Sequence, residues 1–294
     1  MGRIVVIGSY NRDTVLRVER FPRPGETLSA TARCHGGKGS NQAVAAARGG
    51  SQVAMIAASG VDAGGQGAID LWAAEGIDAD SVRRDPALPT GEALILVDDA
   101  GENEIVILAG ANAALAPPAP DVFAGAALVV AQLETPLATT EAAFAAARAV
   151  GATTLLNAAP AQALPDGLLA ATDILAVNET EAARLAGRED APGALAAVLA
   201  PRFRRGVVLT AGAAGAFRAW PGAPPVHVRP PAVQVVDSTG AGDAFIGAFA
   251  AALAAGLAEE TALKRGVVAG ALACRQAGAV PSLPRLDAIL AAGG

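Results

Sequence analysis

Aromatic residues make up only 3% of the 294 residues, so the core must be built from Ala, Val, Leu and Ile. Cysteine is scarcer still. Cys34 and Cys274 are the only two, too few for a disulfide framework, and a reducing compartment is the default. With His35 and His227 the only histidines, a structural zinc site is not expected. Basic runs are missing as well. Lys plus Arg is 22 against 28 for Asp plus Glu, a net charge of −6, which excludes a general nucleic-acid binder. No apolar run is long enough for a membrane span; the longest, Ala244 to Ala258, contains two glycines and falls short of the ~18 residues required. The chain enters a short apolar run at Ile4 without a leader-like segment. A cytoplasmic protein is expected.

What is abundant is apolar residues, at 52%, and their order is regular. Ile4-Val5-Val6-Ile7 reads as a buried parallel strand. Further strands are expected at 52–58, 127–131, 153–156, 173–176 and 206–209. Helices are expected at 67–75, 136–149, 178–186, 241–255, 259–276 and 285–292. Such alternation predicts a mainly parallel sheet with helices on both faces. Two stretches interrupt it: 14–35, with short strands including Thr27 to Ala30, and a hairpin of Glu92–Val97 and Glu104–Leu108 joined through 98–103. Together they predict a small β lid from about 14–35 and 90–109. Polar residues follow several strand ends: Asn11 and Asp13, Gln132 and Glu134, Asn157, Asn178 and Glu181, Thr210. Each alone reads as a turn or a cap. Their shared place, beyond the carboxyl ends of parallel strands, is where α/β proteins bind ligands.

Two glycine turns stand out. In Asp237-Ser238-Thr239-Gly240-Ala241-Gly242-Asp243, a strand expected at Val233–Val236 hands over to an Ala-rich helix. Glycines let the backbone approach a ligand, and a helix start offers unpaired N–H groups to an anion. The plain alternative is a capped helix with Asp243 in its first turn. The other turn, His35-Gly36-Gly37-Lys38-Gly39-Ser40-Asn41-Gln42, opens a helix ended by Gly49-Gly50. It is not a Walker A loop, which needs Ser or Thr directly after its Lys. It has the parts of an anion or hydroxyl site, or of a simple glycine-rich connector. A nicotinamide-binding fold lacks support, because no G-x-G-x-x-G follows the first strand.

Gly36 to Ala43 resembles the N-terminal signature of the ribokinase (PfkB-type carbohydrate kinase) family, and Asp237 to Asp243 resembles its C-terminal signature. The strings at Gly8–Asp13, Gly110–Leu115, Gln132–Glu134, Asn157–Ala161, Asn178–Glu181 and Pro281-Ser282 extend the likeness over nearly the whole chain. The resemblance implies one Rossmann-like, three-layer α/β/α domain over 1–294 with a β lid, and a homodimer in which two lids clasp. It implies transfer of the γ-phosphoryl group of ATP to the 5-hydroxyl of D-ribose, or to a related sugar or nucleoside. Asp243 becomes the base, and Gly240, Ala241 and Gly242 the anion hole. Asn11, Asp13, Gly37, Lys38, Asn41 and Glu134 hold the sugar. Asn178, Thr210, Gly212 and Gly242 meet ATP, and Glu181 meets Mg²⁺ through water. Asp237, Thr239, Gly278 and Ser282 form a monovalent-cation site, usually filled by K⁺. The helix dipole is expected to lower the pKa of Asp243; a weak base suffices where the proton leaves late. Ser40 stands where the family has Ala. Val267 stands where Asn or His commonly meets the adenine. A catalytically silent sugar-binding protein is the reading from another class, and the retained Lys38, Asp243 and glycine turn argue against it.

Overall fold

The computed structural model describes residues 2–22, 32–98 and 103–294. Its main sheet has eight strands, in the spatial order Val226–Val228, Ala216–Ala219, Val207–Thr210, Ile174–Asn178, Thr153–Asn157, Ala126–Ala131, Arg3–Ile7 and Gln52–Ile56. From Val207–Thr210 onward all neighbours are parallel, and the first two strands join by antiparallel pairing. The unbroken apolar runs have a simple cause. Ile4 and Val6 pack into the core on one face, Val5 and Ile7 into the core on the other. Helices Lys38–Arg48, Ala63–Ala74, Ala241–Ala254 and Glu259–Ala273 cover the first face, and Leu137–Ala149, Glu179–Ala186 and Pro192–Leu199 the second. The result is the expected three-layer α/β/α arrangement.

Few large side chains separate the helices, and this brings two of them close. A Cβ on Gly247 would lie 2.3 Å from the Cβ of Ala45, and one on Gly49 would lie 2.9 Å from that of Ala251. The Lys38–Arg48 and Ala241–Ala254 helices therefore pack nearly backbone to backbone. Their N-termini open at the same sheet edge, which is what places the two glycine turns together.

A second sheet of four strands has the order Ala32–Gly36, Asn11–Arg17, Gly91–Val97, Asn103–Leu108. It begins at Asn11, directly after the first parallel strand. Strand Asn11–Arg17 pairs antiparallel with Ala32–Gly36 and parallel with Gly91–Val97. The strand expected near 27–30 and the hairpin turn at 99–102 lie outside the described residues. Among the described residues no helix is long and apolar enough to cross a membrane.

Two expectations need correction. Val233–Val236 is not a strand. Pro230 and Pro231 lack donors for a ladder, and Val235 and Val236 stay 66% and 62% exposed. The Val236 N–H instead donates to the Cys274 carbonyl at 2.8 Å. The helix expected at 67–75 starts earlier, at Ala63. Asp62 caps it, accepting from Gly65 N–H at 2.8 Å, and also holds Thr90 by N–H and hydroxyl.

Candidate active site

The carboxyl ends of the parallel strands carry the polar residues, and the two glycine-led helices aim at them. Asp243, in the first turn of Ala241–Ala254, is buried. Its Oδ2 accepts from Asn41 Nδ2 and its Oδ1 from Gln42 Nε2, both at 2.9 Å. Burial pushes the Asp243 carboxyl up; Lys38 and the two amides oppose this, and Glu134 adds to it. The lowering expected from the helix start is thus reversed, because desolvation disfavours the charged form more strongly. For Lys38, burial favours the neutral amine, but Asp243, Glu134 and Glu181 outweigh it and leave the ammonium favoured.

Gly37 and Gly240 both have left-handed backbones, with φ of 86° and 79°. Each precedes a helix with no side-chain cap of its own, yet the two starts differ. At the first, protein groups take the donors: Lys38 N–H donates to Glu134 Oε2 at 2.9 Å, Gly39 N–H to Ser9 Oγ at 3.4 Å, and Ser40 N–H to the Ser9 carbonyl at 2.8 Å. Ser9 Oγ also donates to Glu134. At the second, Ala241 N–H donates to the Ser238 carbonyl at 3.1 Å, so Ala241 leaves the set of anion-hole donors. Among the described residues nothing accepts from the N–H groups of Gly242 or Asp243, which as first-turn groups have no acceptor in their own helix.

Asp13 and Asn11 lie at the start of the small sheet. The Asp13 carboxyl is pushed up to about 7, first by burial and then by Glu134 and Asp243. Asp13 Oδ1 and Asn41 Oδ1 are buried without a hydrogen-bond partner. Asn11 Oδ1 accepts from Asn112 Nδ2 at 2.9 Å, and Asn112 also bridges Tyr10 N–H and carbonyl. A cavity of about 390 Å³ beside them is lined by Asn11, Asn112, Glu134, Thr135, Gln162 and Ile107 of the small sheet, among others.

On the other side of Asp243 a cavity of about 270 Å³ is lined by Lys38, Asn178, Glu181, Thr210, Gly240, Gly242 and Asp243, among others. It shares Thr210, Ser238 and Gly242 with a larger, mainly apolar cavity of about 560 Å³ that also meets Gly212, Val233, Val267 and Cys274. The two form one cleft ending at Asp243. Asn178 and Glu181 make a capping box: Asn178 N–H donates to Glu181 Oε2 at 2.9 Å, and Glu181 N–H to Asn178 Oδ1 at 2.8 Å. Burial raises the Glu181 pKa, against Asn178 and Lys38. Behind the second turn, Asp237 accepts from Thr239 N–H at 2.9 Å and from Gly278 N–H at 2.8 Å. Ser282, buried nearby, donates to the Ala279 carbonyl. Ala279 also backs the loop: a Cβ on Gly240 would lie 3.1 Å from its Cα. Among the described residues no cluster of three His, Cys, Asp or Glu could hold a metal ion.

Of the expected site residues, Lys38, Asn178, Glu181, Gly240 and Asp243 line the smaller part of this cleft, Gly212 and Ala241 the larger part, Thr210 and Gly242 both, and Asn11 and Glu134 the cavity on the other side. Ser9, Gln42 and Asn112 were not anticipated as site residues, and Gln132 and Asn157 were marked only by their place past strand ends, with no role. The available signal was their position past strand ends or inside the first signature.

A long apolar cleft that ends at a buried carboxylate and open N–H donors, with unpaired polar atoms beyond, suits a phosphotransferase acting on a polyhydroxy compound. Residues 1–286 match the family described as pfkB family carbohydrate kinase, and the chain belongs to that family. It is 38% identical over 291 residues to a ribokinase of Haemophilus influenzae, covering 96% of this chain and 95% of the relative. It is 40% identical over 303 residues to the bifunctional ribokinase/ribose-5-phosphate isomerase A of Fructilactobacillus sanfranciscensis. That match takes in 99% of this chain but spans only 56% of the bifunctional protein. The structure of Arabidopsis thaliana ribokinase complexed with ribose and ATP superimposes with a TM-score of 0.92 at 32% identity, covering 99% of this chain and 98% of the other.

Proposed function

We propose that this chain transfers the γ-phosphoryl group of ATP to the 5-hydroxyl of D-ribose, giving ribose 5-phosphate and ADP. The observation that carries the reading is the junction at Asp243, where a nucleotide-sized cleft with open N–H donors meets buried, partnerless oxygens on Asp13 and Asn41. Sugar hydroxyls both donate and accept, so they suit these orphaned acceptors. A sugar lacking a hydroxyl there leaves a buried acceptor unpaired, which penalises it strongly.

In this reading Asn11, Asp13, Gly37, Lys38, Asn41 and Glu134 hold the sugar, and the strands of the small sheet serve as the lid of a single catalytic unit. Asp243 takes the proton of the attacking hydroxyl. Raising its pKa makes it a better acceptor, and a loose transition state needs little more. The N–H groups of Gly242 and Asp243 face the phosphoryl oxygens as a preorganised hole, and Lys38 adds positive charge. Thr210, Gly212 and Asn178 line the nucleotide path, with Val267 against the base. Mg²⁺ would arrive with ATP and neutralise phosphate charge. Glu181 fits it through water, since only its Oε2 is engaged in the cap and Mg²⁺ keeps much of its hydration. Asp237, Thr239, Gly278 and Ser282 fit K⁺. Asp237 brings negative charge, Ser282 Oγ keeps acceptor lone pairs while its hydrogen goes to the Ala279 carbonyl, and a cation there would stiffen the loop behind Gly240. Ile105, Val106, Ile107 and Leu108 are about half exposed along an edge strand, a surface suited to pairing two lids in a homodimer.

The deciding experiment is ADP release with ribose, deoxyribose, fructose, fructose phosphates and nucleosides, each with K⁺ and with Na⁺. Ribose should give the highest kcat/KM. A better non-ribose substrate would overturn the ribose assignment, and absence of turnover on all of them would overturn the kinase reading.

A further inference from the structure

Behind Asp243 lies a row of amides with only one consistent orientation. Gln42 Nε2 donates to Asp243 Oδ1 at 2.9 Å and to Asn157 Oδ1 at 3.0 Å. Two acceptors on that side require the NH₂ end of Gln42 there, so its carbonyl must face a donor. It does: Gln132 Nε2 donates to Gln42 Oε1 at 2.6 Å. Asn157 is held in turn by donating toward the Ala176 carbonyl at 3.4 Å. Gly8 makes the space behind Gln132, for a Cβ there would lie 2.1 Å from Gln132 Oε1. The row therefore runs from the ends of two central strands to one oxygen of Asp243.

Gln42 is only 1% exposed. It is absent from the lining of the cavity that Lys38, Asn157 and Asp243 share, so it is built to face the carboxylate and not a ligand. Asn41, on the other oxygen, has a free buried carbonyl for the sugar. The neighbouring amides of the first signature thus divide the work.

We propose that Gln42, fixed by Gln132 and Asn157, is a positioning residue for the phosphoryl transfer: it aims Oδ1 of Asp243 while leaving sugar contact to Asn41. The proposal rests on the reading of Asp243 as the base. The groups that face Asp243 are Lys38, Asn41 and Gln42 from the first helix, Glu134 after the Ala126–Ala131 strand, and Asp13 from the small sheet. Of these, Gln42 supplies one of only two amide donors that favour the carboxylate. Losing it shifts Asp243 toward its protonated form, so the acid limb of the rate profile must move to higher pH.

The test compares wild type, Gln42→Met, Gln42→Glu and Gln132→Met by ADP release from ribose across about pH 5–9, with ribose binding measured by calorimetry without ATP. Gln42→Met should lower kcat about 10–10²-fold, keep the ribose Kd within about 3-fold, and move the acid limb upward. Gln42→Glu keeps the volume and the acceptor for Gln132 but sets a like charge on Asp243, so its loss should be larger. Gln132→Met leaves Gln42 in place with its amide free to turn, and should give a smaller loss in the same direction. Unchanged kcat in Gln42→Met overturns the proposal, as does a loss confined to ribose affinity or an unmoved acid limb. Should Gln42→Met fail to fold, unchanged kcat in Gln132→Met overturns it. Normal turnover in Asp243→Asn would sink the base assignment instead, which separates the two failures.

Discussion

The two glycine-led helix starts look alike in sequence and have opposite chemistry. At Gly37 the helix donors are consumed by Ser9 and Glu134, and a carboxylate already occupies the positive end. A phosphate would meet a negative charge there, so this start suits neutral hydroxyls better than an anion. At Gly240 the Gly242 and Asp243 donors stay open toward the 270 Å³ cavity. The helices with ordinary caps, led by Asp62 and Asn178, close their own donors locally. An uncapped helix start marks a site only when nothing else from the fold fills it.

The largest test of that difference is Asp243→Asn. It keeps the shape but removes the proton acceptor, and kcat should fall by about 10²–10⁴ with ribose binding largely kept. Single-turnover ADP release and calorimetry check the two halves, and near-normal turnover would remove Asp243 from the mechanism. Glu134→Ala probes the filled start. It frees the Lys38 N–H and removes the charge, so ribose affinity should fall about tenfold or more, for loss of a buried polar contact. Inorganic phosphate should then begin to compete with ribose. Phosphate competition already present in wild type would mean the two starts are not chemically distinct. Gly242→Ala probes the open start. A Cβ there meets nothing within 4 Å and the residue has an ordinary helical backbone. Alanine should therefore leave Tm unchanged or slightly higher, while KM for ATP rises about 3–10-fold because the methyl group enters the phosphate space. A lower Tm with unchanged KM would place that N–H turn in the fold and not in the site.

Much of the architecture could be read from the chain because strand and helix periods alternate cleanly and polar residues recur past strand ends. The two signatures located Lys38 and Asp243. What could not be read is long-range pairing. Gln42 and Asp243 are separated by 201 positions, and no local pattern says that one amide donates to the other. Ser9 and Asn112 fell inside strings of the family likeness without a role for the same reason: their partners, Glu134 and Asn11, are far away in sequence. Val233–Val236 failed differently. β-branched propensity was correct locally, but the preceding prolines and the cavity wall decided the backbone. The acidity of Asp243 failed because a helix start is visible in sequence and burial is not.

The smallest expected effect concerns Asp13, where the proposed sugar contact and stability oppose each other. Its carboxyl has an ordinary pKa of 3.8 and is pushed up to about 7 in the fold, chiefly by burial. A raised carboxyl pKa means that the folded state binds the proton more tightly than the unfolded chain. The folded state is therefore least penalised below the ordinary pKa. It loses stability as pH rises from about 4 to about 7, and the penalty is complete above that. An amide in place of this carboxyl would be neutral throughout. The ligand-free Asp13→Asn protein should melt roughly 2–5 °C above wild type near pH 8, and the gap should close toward pH 4. On the proposed sugar contact of Asp13, ribose should reverse the order, since binding stabilises the protein that makes that contact. Thermal melts with and without ribose at the two pH values check this. A pH-independent gap would show that Asp13 is already neutralised by a partner, and would move the sugar's anchor to Asn11 and Glu134.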